Sequence, residues 1–348
     1  MTTRRDLPIA LALLASAAWA VAGEARTLPD LFKRLNGSVV IIRTKEKDVA
    51  PWSQGEMVSV GGLGSGTLIS SDGQVLTAAH LVQAANEIAV DLLGGETIGA
   101  RVVSSDTAAD VALLQLTKPP KSGTPIAPLG DSDAVEVGDQ VFIVGAPRGI
   151  GHTLTVGHIS ARRKPNMTVG GPSLVEFFQT DAAINKGNSG GPMFNMNGEL
   201  IGIVSYIVSQ SGGSEGLGFV VTSNVARQLT LGEKSFWSGL DGYLVTGDLA
   251  RTLNVPPPGV GMLVQKIADD SPAARIGLKS GTIRATIGDE ELIVGGDIIL
   301  AVQGIALGGP NAYEAIRRSL KDALPGETIV VKILRGGETL ELTSVRRH

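Results

Sequence analysis

From about Leu28 to Thr230 the chain is one short apolar run after another, each closed by turn residues. Residues 38–43, 66–69, 87–92, 111–116, 140–144, 177–180 and 200–204 are rich in β-branched or apolar side chains, which suit a pleated, half-buried surface. Few stretches hold a 3.6-residue apolar period beyond about three turns, so long helices are not expected. With 46 glycines and 17 prolines in 348 residues, the pattern predicts a mostly β protein of closed or sandwiched antiparallel sheets. Lys118-Pro119-Pro120-Lys121-Ser122-Gly123 breaks the pattern midway and suits a joint between two barrels of similar size. A second break at 232–242 marks off a separate unit.

That unit has its own plan. Residues 248–253 read as a helix stopped by Pro256-Pro257-Pro258. Gly259-Val260-Gly261-Met262 leads into a strand over 263–267, and Ser271-Pro272-Ala273-Ala274 opens a short helix with serine as N-cap. A second helix is expected over 313–320, with strands over 328–334 and 340–345. Between the two helices, residues 282–287 and 291–294 read as a hairpin around Gly288-Asp289.

The first residues set the address. Arg4 and Arg5 precede an apolar run from Leu7 to Ala22 that ends in the small-residue patterns Ala18-Trp19-Ala20 and Ala20-Val21-Ala22. This is the order of a secretory signal, and the run falls short of the roughly 20 residues a membrane span needs. Residues 1–22 are therefore expected to be a cleaved signal peptide, with export to the periplasm or beyond; an uncleaved anchor is the alternative. A formal net charge of −4 gives no basic face for nucleic acid. Zero cysteines exclude thiol catalysis, cysteine-ligated zinc and disulfides. No metal or organic cofactor is expected.

The chemistry concentrates in Asn185-Lys186-Gly187-Asn188-Ser189-Gly190-Gly191-Pro192. Glycines on both sides allow a tight turn around an exposed hydroxyl and let amide N–H groups converge where an oxyanion would form. The same residues satisfy a G-x-S-x-G elbow, but that arrangement needs a histidine after the serine and only the terminal His348 follows. The order histidine, acid, serine fits better. His80 lies in Leu76-Thr77-Ala78-Ala79-His80-Leu81-Val82, and Asp110 opens the apolar stretch Val111-Ala112-Leu113-Leu114. Asp106 is the rival acid but sits in the polar stretch Ser104-Ser105-Asp106-Thr107, which reads as an exposed loop. A set of His152 or His158 with Glu176 and Ser189 draws every member from one half of the domain and is set aside; Asp181 reads as a structural group. The glycine-rich Gly61-Gly62-Leu63-Gly64-Ser65-Gly66 lacks the helix and lysine of a phosphate cradle and reads as a turn near the catalytic face.

TAAHLV, TAADVALLQL, QTDAAINKGNSGGP and GELIGI, in this order and spacing, resemble the trypsin-fold proteases of the HtrA (Deg) family. The resemblance covers nearly all of Leu28 to Leu229 and extends into a C-terminal unit that looks like a PDZ domain. It implies a chymotrypsin-like double β-barrel over 28–231 and a PDZ domain over 241–346. Ser189 is then the nucleophile, His80 the general base and Asp110 its orienting acid, with the N–H groups of Gly187 and Ser189 as oxyanion hole. Ala183, six residues before Ser189, and Ile207 would shape an apolar specificity pocket, so cleavage after lysine or arginine is not expected. Gly259, Val260, Gly261 and Met262 would accept a peptide C-terminus, with the strand over 263–267 offering its edge to an added strand. The hairpin departs from the family pattern, so the region 282–295 is an insertion. The expected partners are unfolded polypeptides and exposed C-termini, in a homotrimer or higher oligomer. A polypeptide-binding chaperone that hardly cuts, or a regulatory protease with one dedicated substrate, are the alternatives.

Overall fold

The computed structural model describes residues 27–51, 53, 55–146, 152–164, 175–288, 290–309 and 311–346. The expected signal peptide and the terminal His348 lie outside them. Six strands close the first barrel: β1 (Val39–Val49), β2 (Met57–Leu68), β3 (Gln74–Thr77), β4 (Glu87–Asp91), β5 (Thr97–Asp106) and β6 (Val111–Leu116), in the order β1-β2-β3-β6-β5-β4. Six more close the second: β7 (Gln140–Gly145), β8 (Thr153–Arg163), β9 (Phe177–Thr180), β10 (Pro192–Asn195), β11 (Leu200–Ile207) and β12 (Gly218–Thr222), in the order β10-β11-β12-β9-β8-β7. Closure leaves no unpaired edge for aggregation, and each barrel buries its own apolar filling.

A third cluster forms the seam between the barrels. Leu76, Val111 and Leu113 of the first barrel pack with Phe142, Phe194 and Ile203 of the second. Helix α1 (Leu28–Leu35) covers this seam with Leu31 and Leu35, one helical turn apart, and is capped by Thr27, whose Oγ1 accepts from the Asp30 amide. The seam holds the two barrels in one fixed relation, so groups carried by different barrels can meet.

After β12, helix α2 (Ser223–Arg227) runs into a π turn (Gln228–Gly232), and residues 233–239 lead to the last unit. Its sheet is ordered β13 (Leu240–Val245), β14 (Gly261–Ile267), β17 (Ile298–Val302), β19 (Thr328–Arg335), β20 (Glu338–Val345), with β18 (Ile305–Ala306) on β17. Helices α3 (Gly247–Thr252), α4 (Pro272–Arg275) and α5 (Ala312–Asp322) complete it. Ser271 caps α4 as its sequence predicts, its Oγ accepting from the Ala274 amide at 3.1 Å. The hairpin is present as β15 (Ile283–Ile287) and β16 (Glu290–Val294).

One expectation fails here. Strand β14 pairs with β13 along its whole length and with β17 through Met262 and Leu263. Gly261 and Met262 are therefore part of the ladder, and the edge of residues 263–267 expected to take an added strand is covered by β13. The exposed edge on that side belongs to β13. Between β13 and α5 lies a cavity of about 470 Å³, lined by Leu240, Leu244, Ile316 and Leu320 and, from the first barrel, by Gln83 and Asp106.

The last unit is docked on the first barrel. Lys266 reaches Glu46 at 2.6 Å and Asp48 at 3.0 Å, and Arg284 of the inserted hairpin reaches Asp48 at 2.6 Å and the Val49 carbonyl at 2.9 Å. Gln83 donates to Ser238 Oγ and the Leu240 carbonyl, while the Trp237 indole donates to the Gln83 carbonyl at 3.1 Å.

Candidate active site

His80 sits on the single 3-10 turn Ala79–Leu81 that follows β3. Asp110 is the last residue before β6, in the left-handed backbone region at φ 53°. Both come from the first barrel. Imidazole Nδ1 lies 3.0 and 2.9 Å from the two Asp110 carboxylate oxygens, and the His80 backbone N–H donates to Oδ1 at 2.9 Å. This double attachment fixes ring orientation and places the Nδ1 proton on the carboxylate side, leaving Nε2 to act as a base.

Ser189 comes from the second barrel, in the tight turn between β9 and β10. Gly187 and Gly190, at φ 103° and 79°, adopt a backbone that a side chain would resist. Among the described residues, the N–H groups of Gly187 and Ser189 donate to no protein acceptor. Ser189 Oγ donates to the Ser205 carbonyl at 3.4 Å and has no hydrogen bond to His80 among the described residues.

Ser205 is a site residue that sequence reasoning missed. It is buried on β11, and its Oγ donates to Asp110 Oδ2 at 2.5 Å, the third donor on that carboxylate. The available signal was the one serine in a mostly apolar strand. Asp106 needs the opposite correction. It is 2% exposed, not a loop carboxylate, and accepts from the Ala109 amide, Ser235 Oγ and Tyr313 Oη at 2.8–3.0 Å. His152 is held by Asn36 and His158 by its position beside Asp181, so neither joins Ser189. Gly61 to Gly66 lie within β2 and are not a turn.

Burial works to lower the His80 pKa, but the hydrogen bond and charge of Asp110 and the charge of Asp241 outweigh it, leaving it above the ordinary 6.5. Asp241 belongs to β13, so the C-terminal unit contributes to the field at the imidazole. Burial pushes the Asp241 carboxyl up, with Glu46 and Asp48 adding to the effect and Lys266 opposing it. Ala183 is half-buried, its carbonyl accepting from Thr155 Oγ1 at 3.0 Å. Ile207, at the end of β11, packs against the second barrel's core. No group of three or more metal-ligating side chains occurs among the described residues.

Two barrels meeting at such a site define a trypsin-like peptidase unit, here followed by a PDZ unit. Residues 64–203 match the trypsin-like peptidase domain model and residues 216–344 the PDZ domain model. The second match begins at residue 216, just ahead of β12, although β12 belongs to the second barrel. The probable periplasmic serine endoprotease DegP-like of Halomonas elongata is 36% identical over 322 residues, covering 91% of this chain and 62% of that protein. The periplasmic pH-dependent serine endoprotease DegQ of Escherichia coli strain K12 is 38% identical over 288 residues, covering 81% of this chain and 58% of that protein. The chain thus spans about three fifths of the length of these relatives. Among solved structures, the HtrA-type protease AlgW with tripeptide matches at 30% identity and a TM-score of 0.52, covering 92% of this chain and 96% of the other. The same protease with decapeptide matches at 28% identity and 0.52, covering 92% and 99%. The chain belongs to the HtrA family of serine proteases.

Proposed function

We propose that this chain is an exported serine endopeptidase that cuts unfolded or damaged polypeptides. The observation that carries the reading is the clamp of His80 by Asp110, through both carboxylate oxygens and the backbone N–H, with Ser205 bonded to both Asp110 and Ser189. In this reading Ser189 Oγ attacks the peptide carbonyl and His80 Nε2 takes its proton. Asp110 stabilises the imidazolium, and His80 then returns the proton to the leaving amine. The unpaired N–H groups of Gly187 and Ser189 receive the oxyanion. Ala183 and Ile207 supply no charge, which suits small or medium apolar side chains before the scissile bond.

Peptide C-termini are assigned to the groove between β13 and α5. Its walls are largely apolar, and β13 offers the unpaired edge that strand addition requires. The periplasm is the proposed location, in keeping with the names of the curated relatives, and no helix among the described residues is long and apolar enough to cross a membrane. A homotrimer is proposed from family membership.

Turnover of an unfolded casein-type substrate by wild type and Ser189→Ala tests the activity. The expected loss is on the order of 10⁴-fold or more, because triad members act as a unit. Equal, slow turnover by both proteins would leave a polypeptide-binding chaperone as the better reading, and a survey of cleaved proteins separates general from dedicated proteolysis.

A further inference from the structure

The stretch Gly61 to Gly66 has no phosphate to hold, yet its serine is fully buried and engaged on every side. Ser65 lies on β2, and its backbone N–H donates to the carbonyl oxygen of Ser189 at 2.8 Å. Its Oγ–H donates to the carbonyl oxygen of Gly187 at 2.7 Å, while the same Oγ accepts from the Ala146 N–H at 3.0 Å. The Ser65 carbonyl accepts from Thr77 Oγ1 at 2.8 Å. A Cβ on Gly190 would stand 2.3 Å from that carbonyl oxygen, and one on Gly191 would stand 3.1 Å from Ser65 Cβ. One residue of the first barrel thus grips the segment 187–191 of the second.

We propose that Ser65 is a positioning residue that keeps the N–H groups of Gly187 and Ser189 aimed at the reacting carbonyl. The inference rests on the reading of Ser189 as nucleophile. Gly187, at φ 103° and without a Cβ, leaves the peptide planes beside it free to rotate. The two carbonyls held by Ser65 belong to the planes on either side of this short turn. Fixing where those oxygens point restricts where the neighbouring amides can point. The hydroxyl cannot swing away, because its donor is committed to Gly187 and its lone pair to Ala146 at the end of β7. Such a cross-tied hydroxyl is stiffer than a lone one and joins both barrels at the oxyanion turn. Oxyanion donors stabilise a transition state only when preorganised, so the cost of loosening them falls on the chemical step and not on substrate binding.

Ser65→Ala and Ser65→Thr test this against wild type, with peptide cleavage, peptide affinity in a Ser189→Ala background, and inhibition by a peptide boronic acid. The tetrahedral adduct of that probe places an oxygen where the oxyanion forms. Ser65→Ala is expected to lower kcat about tenfold, with KM within about twofold of wild type. It should weaken the boronic acid by a similar factor and leave peptide affinity unchanged, while Ser65→Thr, which keeps the hydroxyl, restores most of the loss. Unchanged kcat and boronic-acid affinity in folded Ser65→Ala would overturn the proposal, as would a loss confined to KM. Crystal structures of wild type and Ser65→Ala give a readout free of activity. The Gly187 carbonyl should leave its position in the variant, and its staying put overturns the proposal even if wild type itself proves inactive, which would instead sink the protease reading.

Discussion

In the proposed mechanism His80 must be neutral to act, yet Asp110 and Asp241 outweigh its burial and hold it above its ordinary pKa. Because His80 takes a proton only when deprotonated, activity should rise with pH through a midpoint above 6.5. The Asp241 charge is one of the influences raising that midpoint, so Asp241→Asn should move it downward in a kcat/KM profile; an unmoved profile removes Asp241 from the site's electrostatics. Asp110 is less replaceable. Its carboxylate accepts from His80 N–H, His80 Nδ1 and Ser205 Oγ, and its backbone sits in the left-handed region at φ 53°. Strain at a non-glycine residue there is of order 1–2 kcal/mol and must be offset by those donors. Gly190 is constrained by space as well as by its φ of 79°. A methyl group would meet Thr77 Oγ1 at 2.2 Å, so Gly190→Ala should cost about 2 kcal/mol or more in denaturant unfolding.

At the level of elements, the sequence made the strand-rich regularity plain and hid what depended on pairing. Runs such as Val111–Leu116 and Leu200–Ile207 are mostly apolar without strict alternation because both faces are buried or nearly so. Strand β8, with Thr153, His158 and Arg163, carries too many polar groups to stand out, yet it completes the second barrel between β7 and β9. Ser189 and Asp110 were proposed from local signals, flanking turn glycines and a strand start, and His80 from chain order; the structure brings His80 and Asp110 into contact. Ser205, Ser65 and the burial of Asp106 were not legible, because each gains its role from a partner about 90 to 130 positions away or from another domain. The PDZ edge failed for the same reason: residues 261–267 have strand character, but nothing local says that β13 covers them. The inserted hairpin, visible as a departure from the family pattern, turns out to be a clasp. Arg284→Ala, which removes two contacts to Asp48 and Val49, should weaken docking by about 1 kcal/mol and raise hydrogen exchange in β15 and β16.

Across the whole molecule, the two functional regions share supports. Gln83 lies three residues after His80, and Asp106 four before Asp110; both are held by residues of the linker, and Asp106 also by α5. Tyr313 is the clearest of these ties. Burial and the neighbouring Asp106 carboxylate push its phenol pKa up, so it stays a hydrogen-bond donor at any physiological pH. Tyr313→Phe leaves one oxygen of a buried carboxylate short of a donor, and a loss of about 1–3 kcal/mol in thermal or denaturant unfolding is expected. An unchanged transition would mean that water replaces the phenol without cost.

The tryptophan at this junction gives the molecule a built-in optical gauge. The sequence holds three tryptophans, Trp19, Trp52 and Trp237, and among the described residues Trp237 is the one present, at the junction of the two units. Its indole is half-buried and tethered to the Gln83 carbonyl. Any separation of the units would hand that ring to water, and its emission would shift to longer wavelength without a label being attached.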